Sequence, residues 1–191
     1  MVAQPSRSKM SVEAYLTLDR NSIEKRYEFI DGSVYMLAGG TLVHARISAN
    51  LIRELGNALR NGSCNVYTSD ARVRLSEKRY VYPDITVTCD PRDEAGDDIL
   101  LYPRLVIEVL SKSTEAYDRG DKFDFYRSCP TIEEYVLVNT QRMAIEVYRR
   151  EQHPFWRLSP FKVDDIVELV SIDISIPITA IYENVKLSEE Q

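Results

Sequence analysis

The stretch "LVIEVLS", residues 105–111, constrains the fold more than any other part of this chain. A run of large apolar residues bounded by a proline-containing segment reads as a strand buried in a sheet. Glu108 stands inside that run. An ionised carboxylate in an apolar interior costs on the order of 2–7 kcal/mol or more unless it is paired, hydrogen-bonded or bound to a metal. Any fold that buries this strand must bring Glu108 a partner from elsewhere in the chain.

The surrounding sequence supplies the elements of a mixed sheet. Ser11 is placed to cap a short helix, "VEAYLTL", and "RYEFIDGSVYML" reads as two strands joined by Asp31-Gly32, a pair that favours a tight hairpin turn. Thr41 is placed to cap a longer helix in which Ile47, Leu51, Leu55 and Leu59 recur every four residues, with Gly62 as its C′ residue. Strand-like segments follow in "CNVYTSD", "ARVRLS" and "RYVYPDITVT", and an acidic loop, "CDPRDEAGDD", precedes the Glu108 strand. After it, "EAYDRGDKFDFYRS" reads as a helix despite Gly120, and "EYVLVN", "MAIEVYRR" and "FWRLSP" return to strand character. Pro177 forbids a regular central strand in the tail. The order implies an α/β (α+β) domain with one mixed central sheet flanked by helices, spanning residues 11–191 after a disordered lead-in at 1–10.

Composition narrows the function classes. No run approaches the ~18–20 apolar residues of a membrane span, and the polar N-terminus lacks the apolar core of a signal peptide, so a soluble cytoplasmic protein is expected. Cys64, Cys89 and Cys129 are odd in number and form no CxxC pair, which argues against a disulfide framework and a sulfur-ligated zinc site and leaves them as packing residues. A formal net charge of −6 gives no global basic footprint for nucleic acid. There is no GxxxxGK[ST] or GxGxxG loop, and His44 and His153 are too few for a zinc hydrolase or a histidine-based triad.

A second strand-borne acid lies in "YVYPDITV". Alternation along residues 80–87 puts Tyr80, Tyr82, Asp84 and Thr86 on one face and Val81, Ile85 and Val87 on the other. Pro83 cannot donate to a ladder, so the strand should be interrupted or bulged where Asp84 appears. Downstream, Asp118, Lys122 and Tyr126 recur at i, i+4 and i+8 on one helix face, a spacing that equally suits a surface ion pair. Two strand acids followed by a helix-borne lysine are the parts of a divalent-metal phosphodiesterase site, because Mg²⁺ takes one or two carboxylates and keeps several waters.

The motifs "YPDITV", "LVIEVLSKST", "YDRGDKFDFY", "YEFIDG" and "GGTLVHARIS" resemble the Uma-type family of restriction endonucleases, a branch of the PD-(D/E)XK nuclease superfamily, over about residues 11–150. The resemblance implies a restriction-endonuclease-like fold and Mg²⁺- or Mn²⁺-dependent cleavage of DNA. It makes Asp84 and Glu108 the metal ligands. The superfamily pattern places lysine two residues after the second acid, where this chain has Leu110, so the resemblance implies that Lys122 has taken over that role; Asp118 is then expected to orient Lys122 or the metal's water shell. Glu28 and His44 are further candidates near the site. Glu28 also reads as half of a hairpin ion pair, and His44 as a core or cap histidine. A homodimer acting on both strands would use the late strands as its interface. The other reading is a nuclease-derived DNA-binding or regulatory module without turnover, which the acidic net charge and Leu110 favour.

Overall fold

The computed structural model describes residues 9–96 and 98–187. Its elements run α1 (Val12–Arg20), β1 (Tyr27–Ile30), β2 (Ser33–Met36), α2 (Leu42–Leu59), β3 (Asn65–Thr68), β4 (Arg72–Ser76), β5 (Arg79–Val81) and β6 (Ile85–Thr88). There follow α3 (Pro91–Glu94), β7 (Ile99–Leu100), β8 (Pro103–Val109), α4 (Glu115–Tyr117), a π-helical turn at Asp118–Lys122 and α5 (Phe123–Ser128). The chain continues as β9 (Glu134–Val138), β10 (Ala144–Arg150), β11 (Trp156–Lys162), β12 (Ile166–Leu169), a 3₁₀ turn at Val170–Ile172, β13 (Ile174–Pro177) and α6 (Ile178–Ile181). The expected mixed α+β class holds, with the strands divided among sheets. Five form the order β2-β1-β5-β4-β7, six form β11-β10-β9-β8-β6-β3, and β12 and β13 make a separate hairpin.

Local chemistry explains the element starts. Ser11 accepts from the N–H of Ala14 at 3.2 Å and caps α1, and Thr41 accepts from the N–H of His44 at 3.2 Å and caps α2. Asp31 and Gly32 take φ of 49° and 96°, the left-handed pair that a tight hairpin turn requires. Gly62 does not adopt a positive φ, and its N–H closes a short turn onto the Leu59 carbonyl instead. Of the lead-in expected at 1–10, residues 1–8 lie outside the described residues, and Met10 donates to the Gly32 carbonyl at 2.8 Å.

The central strands of the six-stranded sheet, β6, β8 and β9, are buried on both faces. On one side the α2 stripe of Ile47, Leu51, Leu55 and Leu59 packs on Ile85, Val87, Leu105, Ile107 and Val109. On the other, Val106 and Leu110 join Val73, Val81, Tyr126 and Tyr135 beneath the five-stranded sheet and α5. Period-two alternation therefore sends Glu108 into the second layer, between Val106 and Leu110. β8 and β9 are parallel neighbours, so the chain must cross over between them, and the helical segment 115–128 is that crossover.

Two expectations change here. The single strand read through "RYVYPDITVT" is two strands in different sheets: β5 pairs with β1 and β4, and β6 pairs with β3 and β8. Val81 accordingly packs in a different cluster from Ile85 and Val87, because the chain passes between sheets at Tyr82-Pro83-Asp84, where proline has no ladder donor. Cys64 and Cys89 are disulfide-bonded, not separate packing residues. The antiparallel register that sets Asn65 opposite Thr88 carries them face to face, a proximity that their separation in sequence conceals. Cys129 is free and buried.

The tail is fastened by a second buried carboxylate. Glu134 on β9 is fully buried and accepts from Arg149 Nε at 2.7 Å, from the N–H groups of Val170 and Ser171 at 3.2 and 3.0 Å, and from the Ser171 hydroxyl at 2.6 Å. Removing it takes the carboxylate from a half-buried guanidinium and from two backbone donors. Glu134→Ala is expected to lower the unfolding free energy by about 3–5 kcal/mol in a urea titration. A loss below ~1 kcal/mol would show that the 3₁₀ turn holds without it.

Candidate active site

Asp84 and Glu108 meet across the β6–β8 ladder. The register sets Ile85 opposite Ile107, and one step further places the two acids opposite each other, with both side chains on the layer under the five-stranded sheet. Each carboxylate also binds the other strand's backbone. Asp84 Oδ2 accepts from the N–H of Val109 at 2.8 Å, and Glu108 Oε2 accepts a long 3.4 Å contact from the N–H of Asp84. Because Pro83 ends the regular pairing, the backbone donors at this point are free to hold carboxylates instead of ladder carbonyls.

The crossover segment brings the cation. Lys122 Nζ lies 2.9 Å from Glu108 Oε1, 3.5 Å from Glu28 Oε1 and 3.9 Å from Asp118 Oδ1. Asp118 and Lys122 sit at the two ends of the π-helical turn, a local widening that is common at functional sites. One turn on, Tyr126 donates its hydroxyl to Glu108 Oε1 at 2.6 Å. Lys122 is 7% exposed and Glu108 4%, so the solvated ion-pair reading of this helix face does not describe them. Leu110, where the superfamily pattern has lysine, is 2% exposed and packs in the apolar cluster with Tyr126.

Glu28 and His44 complete the ring from opposite sides. Glu28 is buried on β1, where it faces Tyr35 across the hairpin and makes no ion pair with it, and it accepts from the N–H of Tyr82 at 3.1 Å. The carboxylate thus ties the first hairpin to the point where the chain changes sheets. His44, in the first turn of α2, places Nε2 3.1 Å from Asp84 Oδ2. A Cβ at Gly40 would stand 2.8 Å from His44 Nδ1, so the glycine before the cap leaves room for the ring. Asp84 and His44 keep about a fifth of their side-chain surface exposed, and they form the open side of the cluster.

Charge is unevenly shared. Glu28, Asp84, Glu108 and Asp118 face one ammonium and one imidazole. Burial pushes the Glu108 carboxyl well above the usual carboxylate range; Lys122 opposes that shift, and Asp84 and Asp118 reinforce it. Burial raises Asp118 as well, again against the pull of Lys122. For Lys122, burial favours the neutral amine, but Glu108, Glu28 and Asp118 together outweigh it and hold the ammonium. The hydrogen bond to Asp84 raises His44 despite burial. The cluster carries more negative charge than its own cations balance.

The donor set decides which metal could fit. Among the described residues no group of three or more His, Cys, Asp or Glu side chains gathers closely enough to cage an ion by itself. Asp84 and Glu108 are hard oxygen donors on adjacent strands, which suits an ion that takes one or two carboxylates and retains its waters, as Mg²⁺ does. It does not suit a site closed by nitrogen and sulfur ligands, as structural zinc requires.

The structure brings all six of the sequence's candidate residues, Glu28, His44, Asp84, Glu108, Asp118 and Lys122, into one cluster through these contacts. Tyr126 was not among them, although its position four residues after Lys122 was the available signal.

Comparison with known proteins bears on the family and the fold. Residues 12–178 match the Uma2 family, described as "Putative restriction endonuclease". The uncharacterized protein slr1290 of Synechocystis sp. (strain ATCC 27184 / PCC 6803 / Kazusa) is 38% identical over 175 residues, covering 91% of this chain and 92% of its own. A second uncharacterized Synechocystis protein, sll1609, is 31% identical over 153 residues, covering 78% of this chain and 86% of its own. Among solved structures, "a putative nuclease belonging to DUF820" from Anabaena variabilis ATCC 29413 superposes with a TM-score of 0.74 at 18% identity, covering 91% of this chain and 97% of that one, a likeness of fold.

Among the described residues the Tyr126 hydroxyl is the one neutral donor to Glu108 Oε1, and hydrogen bonds to charged groups contribute about 1.5–3 kcal/mol. Tyr126→Phe is expected to lose that amount in chemical denaturation with its ring packing retained. An unchanged midpoint would mean that Lys122 alone satisfies the carboxylate.

Proposed function

Because the chain belongs to the Uma2 family of restriction-endonuclease-like proteins, we propose that it is a metal-dependent endonuclease hydrolysing phosphodiester bonds of DNA. The observation that carries this reading is the pairing of Asp84 and Glu108 across one ladder with Lys122 hydrogen-bonded to the second acid. Asp84 and Glu108 would hold Mg²⁺ or Mn²⁺. When bound, the ion supplies Lewis-acid charge that polarises the scissile phosphate.

The chain's own residues do the rest. The exposed edge at Asp84 and His44 admits the phosphate, while the apolar layer behind Glu108 keeps bulk water out. Lys122 places positive charge beside the attacked phosphorus, where negative charge builds up on the equatorial oxygens, and holds the attacking water in line. Asp118 and Glu28 fix the ammonium from two further directions. His44 orients Asp84 through Nε2.

The assembly that suits double-strand cleavage is a two-fold homodimer, with β11 at the edge of the six-stranded sheet exposing Leu158 next to Phe155. Light scattering at micromolar concentration should give twice the chain mass, and a monomer would remove the dimer without touching the site.

Separate substitutions test the roles. Asp84→Ala is expected to abolish both cleavage and Mg²⁺ uptake. Lys122→Ala should lower cleavage by about 10²–10⁴-fold, the range for a positioned proton-transfer or charge-stabilising group, while Mg²⁺ binding by calorimetry persists. Circular dichroism must show both variants folded. Cleavage of plasmid or linear DNA that survives Asp84→Ala, or needs no added metal, overturns the assignment. DNA binding without metal uptake or turnover in the wild type would instead establish the nuclease-derived binding module.

A further inference from the structure

A second concave site lies away from these acids, between α1, β4, β7 and the edge strand β3. It is a cavity of about 600 Å³ whose lining includes Arg20, Arg26, Tyr67, Arg72, Tyr82 and Asp98. That volume falls within the roughly 300–1,000 Å³ of small-molecule sites. Nothing in the proposed nuclease chemistry uses it.

Arg72 is the anomaly in this cavity. It is 5% exposed and locked in place: Nε donates to the Tyr82 hydroxyl at 3.0 Å, and Nη2 pairs with Asp19 Oδ2 at 2.8 Å. Its Nη1 is buried with no hydrogen-bond partner among the described residues. Asp98 Oδ2 lies 3.6 Å from it, too far for a hydrogen bond. Buried guanidinium donors are almost always satisfied, so an orphan that lines a cavity points to a missing acceptor. The acids around the cavity do not invite a cation, because each is already engaged. Asp19 also accepts from Tyr27 N and the Tyr82 hydroxyl, Asp70 pairs with Arg26, Asp93 binds Thr88 and the backbone of Leu101 and Tyr102, and Glu94 accepts from the Asn65 amide.

Asp98 has the character of an occupant of this site more than of its wall. It is partly exposed, holds Arg20 Nε at 2.8 Å, and reaches toward Arg72 without bonding it. One carboxylate thus bridges two guanidinium groups imperfectly. An anion of the same charge with two oxygens could enter that space, bond Arg20 and Arg72 together, and take the place of Asp98, which would turn to water. A dianion would add charge beside Asp19 and Asp93 and is disfavoured.

We propose that this cavity binds a small ligand through a singly charged oxyanion, a carboxylate or a phosphodiester, which displaces Asp98 from between Arg20 and Arg72. The site is independent of the nuclease reading, although Tyr82 links the two regions: its hydroxyl meets Arg72, and its N–H is held by Glu28.

Opposite responses from two exposed residues test the exchange. Titration calorimetry with 3′,5′-cyclic AMP and with 4-hydroxybenzoate, against neutral adenosine, separates the phosphodiester from the carboxylate source, and binding of either anion supports the site. Asp98→Asn removes the internal competitor and should tighten the bound anion about five-fold, the worth of an exposed ion pair. Arg20→Ala should weaken it about ten-fold, the worth of one charge-assisted hydrogen bond. Affinity that Asp98→Asn leaves unchanged, or no binding of either anion to wild type and Asp98→Asn at millimolar concentration, overturns the proposal. Asp84→Ala, with its fold verified by circular dichroism, should leave binding intact, and loss of binding in that folded variant would place the anion among the nuclease-site residues and overturn the proposal too.

Discussion

The architecture turns on the ion pair between Glu108 and Lys122. Glu108 occupies a central strand covered on both faces, where an unpaired carboxylate would cost several kcal/mol, and its partner is 14 residues further on in the crossover between two parallel strands. The crossover cannot sit anywhere else on the sheet without exposing that charge to an apolar layer. Tyr126 joins Lys122 on Oε1 and the Asp84 N–H makes a long contact with Oε2, so the carboxylate is held from the crossover and from the neighbouring strand at once while Oε2 keeps an acceptor position. Position and register of three elements are thereby tied to one side chain.

The passage at Tyr82-Pro83-Asp84 carries the second constraint. A proline there denies the ladder one donor, and the chain leaves one sheet for the other. The break frees backbone N–H groups on both sides: Tyr82 donates to Glu28 and Val109 donates to Asp84. Acids that would be misfits in continuous strands become the acceptors that the break requires. The same discontinuity that interrupts the sheet therefore assembles the carboxylates around Lys122.

Short-range chemistry made much of this legible from sequence. Asp31-Gly32 announces the hairpin, Thr41 and the four-residue spacing from Ile47 to Leu59 announce α2, and Glu108 inside "LVIEVLS" announces a buried partner. Pro83 marks the interruption, but not that the strand changes sheets, because alternation is the same on either side and the choice of neighbour is made by distant strands. The Cys64–Cys89 bond was hidden for a related reason: only the β3–β6 register brings these residues together. The π-helical turn leaves no sequence mark beyond Gly120, and spacing placed Asp118 and Lys122 on one face whether the turn was wide or regular. Glu28 shows the limit most plainly. Local reasoning offered a partner across the hairpin, while the actual partners, Tyr82 and Lys122, are brought by the second sheet and the crossover.

The composition of the cluster also argues about purpose. Buried ion pairs replaced by apolar residues of similar volume are often neutral or more stable, so a group of four acids, a lysine and a histidine is a poor way to hold two sheets together. Glu134 shows how this chain uses a carboxylate for structure: it is matched by Arg149 and by the backbone and hydroxyl donors of the following turn, with no second acid among those contacts. The cluster at Asp84 and Glu108 differs in kind. Its acids outnumber its cations, burial raises the carboxyls of Glu108 and Asp118, and its open side is the acid–histidine pair. Such an arrangement costs stability in the protein alone, and under the proposed function a cation bound beside Asp84 would offset that cost.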